Sequence, residues 1–195
     1  MTAVKQNWNA LEFIKDQTNE ICLEAIKKDP WALQLVKDQT NEICLEAVRK
    51  DGWALKYVKD QTNEICLEAV KPRSSILAFV KNQTEEMCIE AVKQHGNNLH
   101  VVKKQTDNIC KEALNNNFND SVLFVDIKEK STAVIVLEAS LKNIKNTKNK
   151  VILNRIINKF SEDEEIVDFY TKHKLWKYVD FKKLNIELTQ YGMTL

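Results

Sequence analysis

The feature that most constrains this chain is a period of 22 residues. Gln17, Gln39, Gln61, Gln83 and Gln105 recur at that step, and so do Cys22, Cys44, Cys66, Cys88 and Cys110. Parallel series run from Leu11 to Leu99, Lys15 to Lys103, Thr18 to Thr106, Glu24 to Glu112 and Ala25 to Ala113. A fixed period of this length marks a repeat architecture, in which a small unit buries its apolar face only against its neighbours.

Each unit divides into two short helices. The first, typified by Trp53 to Lys59, sets Leu55 and Val58 on one face and closes with a lysine, which suits the negative end of a helix dipole. The second opens at Thr62, whose hydroxyl can accept from an unpaired backbone N–H. An acid follows in the first turn of every copy: Glu20, Glu42, Glu64, Glu85 with Glu86, and Asp107. Ile65, Cys66, Ala69 and Val70 then form a buried stripe. Asp29-Pro30, Asp51-Gly52, Arg73-Ser74 and His95-Gly96 punctuate the ends. Pro72 should mark a break between units, since it lacks an N–H and cannot sit inside a helix. Helices this short are marginal alone, so they must stack. The fold expected is all-α: an α-solenoid of helix pairs over residues 1–117, with a divergent helical C-terminal cap over 118–195.

Composition agrees. With only 3 Gly and 2 Pro in 195 residues, turn-rich β folds are disfavoured. No apolar run approaches the ~20 residues of a membrane span, and Met1 to Asn7 holds no apolar signal core. The expected setting is cytoplasmic, with no membrane partner and no secretion.

The string Asn63-Glu-Ile-Cys-Leu-Glu-Ala-Val70, with a turn and Trp-Ala-Leu-x-Tyr-Val, resembles the DUF4116 repeat, a family of unknown function abundant in large DNA viruses of amoebae. The resemblance covers residues 7–117. It implies helical repeats and points to a viral source, hence a host cytoplasm, and it transfers no catalytic residue. The usual Asn-Gly turn is replaced here, most strongly by Pro72-Arg73-Ser74-Ser75.

Beyond Phe118 the register slips. Val122 to Val125 resembles the first helix displaced by one residue, and Leu137-Glu-Ala139 echoes the second. Ser131–Ile144 and Val151–Phe160 read as helices, Ser161-Glu-Asp-Glu164 as a capping box, and Leu175 to Val179 as a worn first helix.

Candidate chemistry is thin. One cysteine per repeat cannot converge on a metal, and neighbours in the ladder lie too far apart for disulfides, so buried reduced thiols are expected. His95, His100 and His173 show no metal spacing, and no Gly-rich phosphate loop exists. No enzyme, cofactor or metal site is expected. The glutamines read as a stacked amide ladder serving backbone groups, or else as a polar row reading a ligand. Glu24/Lys27, Glu46/Arg49, Glu68/Lys71 and Glu90/Lys93 read as surface pairs.

The function expected is a scaffold or adaptor that binds another protein. A recognition surface should follow the position that varies most between copies: Glu12, Gln34, Lys56, Ala78 and His100, one residue after each repeated Leu. The tryptophans that begin repeats, Trp8, Trp31 and Trp53, read either as packing against the preceding helix pair or as an exposed row for a partner. A single-stranded nucleic-acid reader is the alternative, through the Lys15 to Lys103 ladder. Asp16, Asp38 and Asp60 beside it argue against that, as does the balance of 16 basic and 17 acidic residues over 1–117. From Lys142 to Lys159 six basic residues meet no acid, which reads as a solvated face. A self-assembling structural component is a third possibility.

Overall fold

The computed structural model describes residues 2–143 and 147–179. It is an all-α solenoid, with no strand among the described residues. The α-helices are α1 (Thr2–Gln6), α2 (Asn19–Lys28), α3 (Asn41–Lys50), α4 (Asn63–Val70), α5 (Glu85–Gln94), α6 (Asp107–Ser121), α7 (Lys130–Lys142), α8 (Thr147–Lys159) and α9 (Glu164–Lys172). Each of α2 to α6 follows a shorter helix, and α1, ahead of the first of these, packs on α2 with Val4 buried.

The shorter helices are 3₁₀, a type that the expectation of two short helices per unit left open. They span Trp8–Phe13, Pro30–Leu35, Gly52–Tyr57, Ser74–Phe79 and Gly96–Val101. Each stops at an extended residue whose N–H reaches back three positions, as Val36 does to the Leu33 carbonyl at 3.2 Å. Residues three apart eclipse one another at three residues per turn, so the Leu and the Val that caps the helix point into the same core: Leu33 and Val36, Leu55 and Val58, Leu77 and Val80 are all buried. Asp29 and Asp51 start two of these helices by accepting from the Trp31 and Trp53 N–H groups at 2.9 and 3.0 Å.

The second helices follow the sequence closely. Thr18, Thr40, Thr62, Thr84 and Thr106 each cap an α-helix by accepting the N–H three residues on, at 3.3–3.4 Å. Ile65, Cys66, Ala69 and Val70 are buried together, and so are their equivalents from α3 to α6. Adjacent α-helices pack side by side, as do adjacent 3₁₀ helices, which builds two parallel layers around one core.

Pro72 does interrupt the pattern. α4 ends at Val70, two residues shorter than α3, and no helix runs through residues 68–78. Lys50, Gln94 and Asn116 close their helices by donating to a carbonyl of the preceding one, Lys27, Lys71 and Lys93 respectively. Pro72 stands at that place and has no donor. Gln94 patches the turn from the next repeat, donating to the Lys71 carbonyl at 2.8 Å and accepting from the Ser74 N–H at 3.2 Å.

Past Asn117 the register slips by one residue. α6 carries a non-helical residue, Asn117 (φ −150, ψ 94), close to the conformation of Asp51 (φ −147, ψ 114) at an earlier α-helix end in the pattern. Phe118 to Phe124 then fills the place of the next first helix with an extra residue, and its 3₁₀ end is Val122–Phe124. In α7, Ala133, Val136 and Leu137 take the buried places of Cys110, Ala113 and Leu114, so the echo at Leu137-Glu-Ala139 is out of register. Asp163, not Ser161, caps α9, accepting from the Ile166 N–H at 3.2 Å; Ser161 matched the capping template only by standing three before Glu164. Lys130 ties α7 to the start of α9 through Asp163 (3.1 Å) and Glu165 (2.7 Å). The worn first helix at Leu175–Tyr178 is again 3₁₀, and Asn154 donates to its Tyr178 carbonyl. Ile144, Lys145 and Asn146 lie outside the described residues, as do positions from 180 on.

Candidate functional site

Two rows run the length of the repeats, one structural and one exposed. The structural row is the glutamine ladder. The amide of Gln39 donates to the Leu33 carbonyl of its own repeat (3.1 Å) and to the Tyr57 carbonyl of the next (2.9 Å), and accepts from the Lys59 N–H (2.9 Å). Gln17, Gln61 and Gln83 make the same three bonds at the same offsets. Gln105 makes them to Leu99, Phe124 and Asp126, the latter two one residue further on. Both N–H groups of these amides go to main-chain carbonyls and each Oε1 takes a main-chain N–H, so the row serves stacking.

The lysines belong to the same device. Lys59 Nζ donates to the Val36 and Lys37 carbonyls, and Lys103 Nζ to those of Val80 and Lys81. Lys37 and Lys81 repeat the contact. These cations do meet the negative end of a 3₁₀ helix, but that of the preceding repeat rather than their own. Cys44, Cys66, Cys88 and Cys110 place Sγ 3.7–3.8 Å from the Oε1 of the same repeat's glutamine. All five thiols are free and buried. Burial pushes each above its ordinary pKa, and Cys88 and Cys110 reach about 11 with nearby carboxylates adding to the effect. Among the described residues no cluster of His, Cys, Asp or Glu could hold a metal ion, and no helix is long and apolar enough to cross a membrane.

The exposed row lies on the 3₁₀ helices. Glu12, Gln34, Lys56, Ala78 and His100 all face solvent, one per repeat. Beside them run residues that periodicity reasoning passed over: Phe13, Tyr57, Phe79 and Phe124, which end their helices. The signal was an aromatic or aliphatic residue two after every repeated Leu, which reads as core. The trace turns there instead, because the capping Val already fills the core. Of the six large apolar side chains most exposed among the described residues, Phe13, Trp31, Phe79, Leu123 and Phe124 lie on this row and only Val151 lies elsewhere.

Two of the tryptophans meet an aromatic ring of the next repeat. Trp31 meets Tyr57 of the next repeat edge-on at 5.5 Å between ring centroids and 67° between planes, and Trp53 meets Phe79 at 5.1 Å and 63°. Both remain partly open to solvent, Trp31 at 36%. Trp8 stands one place early, first in its helix where Trp31 and Trp53 are second, and is half-buried. Lys56 Nζ sits 4.4 Å from the centroids of both Trp53 and Phe79. His100 lies against Phe124 at 5.4 Å.

On the opposite layer the expected ion pairs form in part. Glu24 meets Lys27 at 3.1 Å and Glu68 meets Lys71 at 3.2 Å, whereas Arg49 reaches across the repeats to Glu68. Of the basic run, Lys159 donates to the Ile127 carbonyl, and the side chains of Lys145 and Lys148 lie outside the described residues.

The fold and its ladder define a helical-repeat protein whose units alternate 3₁₀ and α-helix. A family described as a domain of unknown function (DUF4116) matches residues 18–61, the stretch from the cap of α2 to the glutamine that follows the third 3₁₀ helix. The resemblance read from the repeat residues holds over that span. No curated protein and no solved structure matches the chain.

Proposed function

We propose that the protein is a non-enzymatic scaffold or adaptor that binds another protein through the row of 3₁₀ helices. One observation carries this reading: the exposed large apolar side chains concentrate on that row, while the α layer presents Lys, Arg, Glu and Asn. Clustered exposed apolar surface on a stable scaffold is the usual mark of an interaction site. The side chains interleaved with it, Glu12, Gln34, Lys56, Ala78 and His100, differ from copy to copy. They can give a partner direction and register along otherwise repeated units.

The nucleic-acid alternative loses its main support, because Lys37, Lys59, Lys81 and Lys103 are engaged with backbone carbonyls. The test is replacement of Gln34, Ala78 and His100 together by Lys. Its melting temperature should stay close to that of the parent, since exposed substitutions cost within about ±0.5 kcal/mol. Capture of the partner recovered from the native host, identified by mass spectrometry, should fall at least tenfold. Undiminished capture by a folded triple variant would remove this face from the reading.

A further inference from the structure

We infer that the Trp31–Tyr57 notch is a binding site for a basic side chain, arginine or lysine, of the partner. The inference rests on the reading of the 3₁₀ row as an interaction surface and names the chemistry one point of it would take. The protein supplies its own template one repeat on. Trp53 and Phe79 form a half-open aromatic corner, and Lys56 fills it with an ammonium 4.4 Å from each ring centroid. Trp31 and Tyr57 form nearly the same corner, with centroid separation and interplanar angle differing by 0.4 Å and 4° from the pair at 5.1 Å and 63°. There, however, the residue in the place of Lys56 is Gln34, which carries no charge.

Aromatic faces present negative potential, and two of them at an angle direct it toward one point. That point is occupied in one repeat and, among the described residues, holds no cation in the other. Trp31 is 36% exposed, so its ring is open to a partner. Of the neighbours in the variable row, Glu12 is exposed and acidic, and the ammonium of Lys56 is turned to the Trp53–Phe79 corner. A nucleobase fits poorly: rings at 67° and 5.5 Å offer no parallel slot to enclose one. Guanidinium suits the corner well, being planar and weakly hydrated.

The experiment follows indole and tyrosine-ring signals by NMR in the full chain. The probe is acetyl-Gly-Arg-Gly-amide, with the citrulline tripeptide as an uncharged isostere. The arginine peptide should shift Trp31 and Tyr57 saturably and leave Trp53 in place, and the citrulline peptide should shift neither. Gln34→Lys should abolish the response by filling the corner from within. Lys56→Gln should make Trp53 respond as Trp31 does, doubling the number of sites. Both positions are exposed, and circular dichroism of each variant confirms that it is folded. No response to the arginine peptide, an equal response to citrulline, or a response surviving Gln34→Lys would each overturn the inference. Saturable binding of oligothymidylate at Trp31 in preference to the arginine peptide would do the same. Partner capture by the Gln34/Ala78/His100 triple variant is read separately, so a silent notch with capture still lost removes only this inference. A responsive notch with capture intact removes the 3₁₀ row as the partner's surface, and with it the partner as the source of the cation.

Discussion

The side-chain amide of Gln39 and the backbone of Tyr57, 18 residues later, are joined by a 2.9 Å hydrogen bond that crosses from one repeat to the next. The same amide holds the Leu33 carbonyl and the Lys59 N–H. One side chain thus pairs the Tyr57 carbonyl and the Lys59 N–H of the next repeat, and gives a second donor to the Leu33 carbonyl, which also accepts from Val36. Burying such groups unpaired is costly, so the glutamine and the 3₁₀ helix are parts of one solution.

Replacing Gln39 by Ala should therefore cost about 1–3 kcal/mol, the usual penalty for partly buried groups left without partners. Urea unfolding followed by circular dichroism measures it. Gln34→Ala, five residues away but solvent-facing, should stay within about 0.5 kcal/mol. Similar losses in the two variants would show that the ladder contributes nothing to stacking.

The thiols predict a pH dependence. Burial raises the folded pKa of Cys88 and Cys110 to about 11, whereas an unfolded thiol ionises near ~8.5. Between those values the unfolded chain has released protons that the folded chain retains, so rising pH favours unfolding. Stability should hold up to about pH 8.5 and fall from there toward pH 11. Cys88→Ala and Cys110→Ala together should flatten that fall. At pH 8, a thiol reagent should titrate all five cysteines only after denaturant is added; several fast-reacting groups in the native protein would contradict the burial described.

Much of this was legible from spacing. The period, the threonine caps, the buried Cys stripe and the break at Pro72 all follow from residue types at fixed offsets. The 3₁₀ character was not legible, because Leu55 and Val58 are three apart and a single turn of either helix satisfies that spacing. Nor was the destination of Lys59, whose carbonyl partners lie 22 and 23 residues back and come near only through stacking. Tyr57 and Phe79 were hidden for a different reason: their regular recurrence beside Leu imitates a core stripe, and only the turn into the capping Val swings them outward. The partner row Glu12 to His100 was visible as variation; its aromatic setting was not.

Gly96 should tolerate no side chain. A Cβ there would collide with Ser121 Oγ and lie 2.7 Å from the Ala113 carbonyl, where the 3₁₀ helix starts against the end of α6. Gly96→Ala should lower stability by about 1–3 kcal/mol as the backbone and Ser121 give way. Gly52→Ala meets the Ala69 carbonyl at 2.7 Å but no hydroxyl, and should cost less. Thermal unfolding of both variants checks the order, and a Gly96→Ala protein as stable as its parent would contradict the close approach.

The extra residue between Asn117 and Val125 has a further meaning. Gln105 still finds a carbonyl and an N–H, at Phe124 and Asp126, although the count to each has grown by one. The spine recognises whichever main-chain groups arrive opposite it and is indifferent to how many residues were spent getting there. Unequal crossing-over between near-identical coding units adds or deletes whole copies, and small slips at the junctions add single codons. In an array held this way, either product starts life with its joints already matched. Copy number can then change in one genetic event, and the side chains displayed on the new unit are free to diverge afterwards.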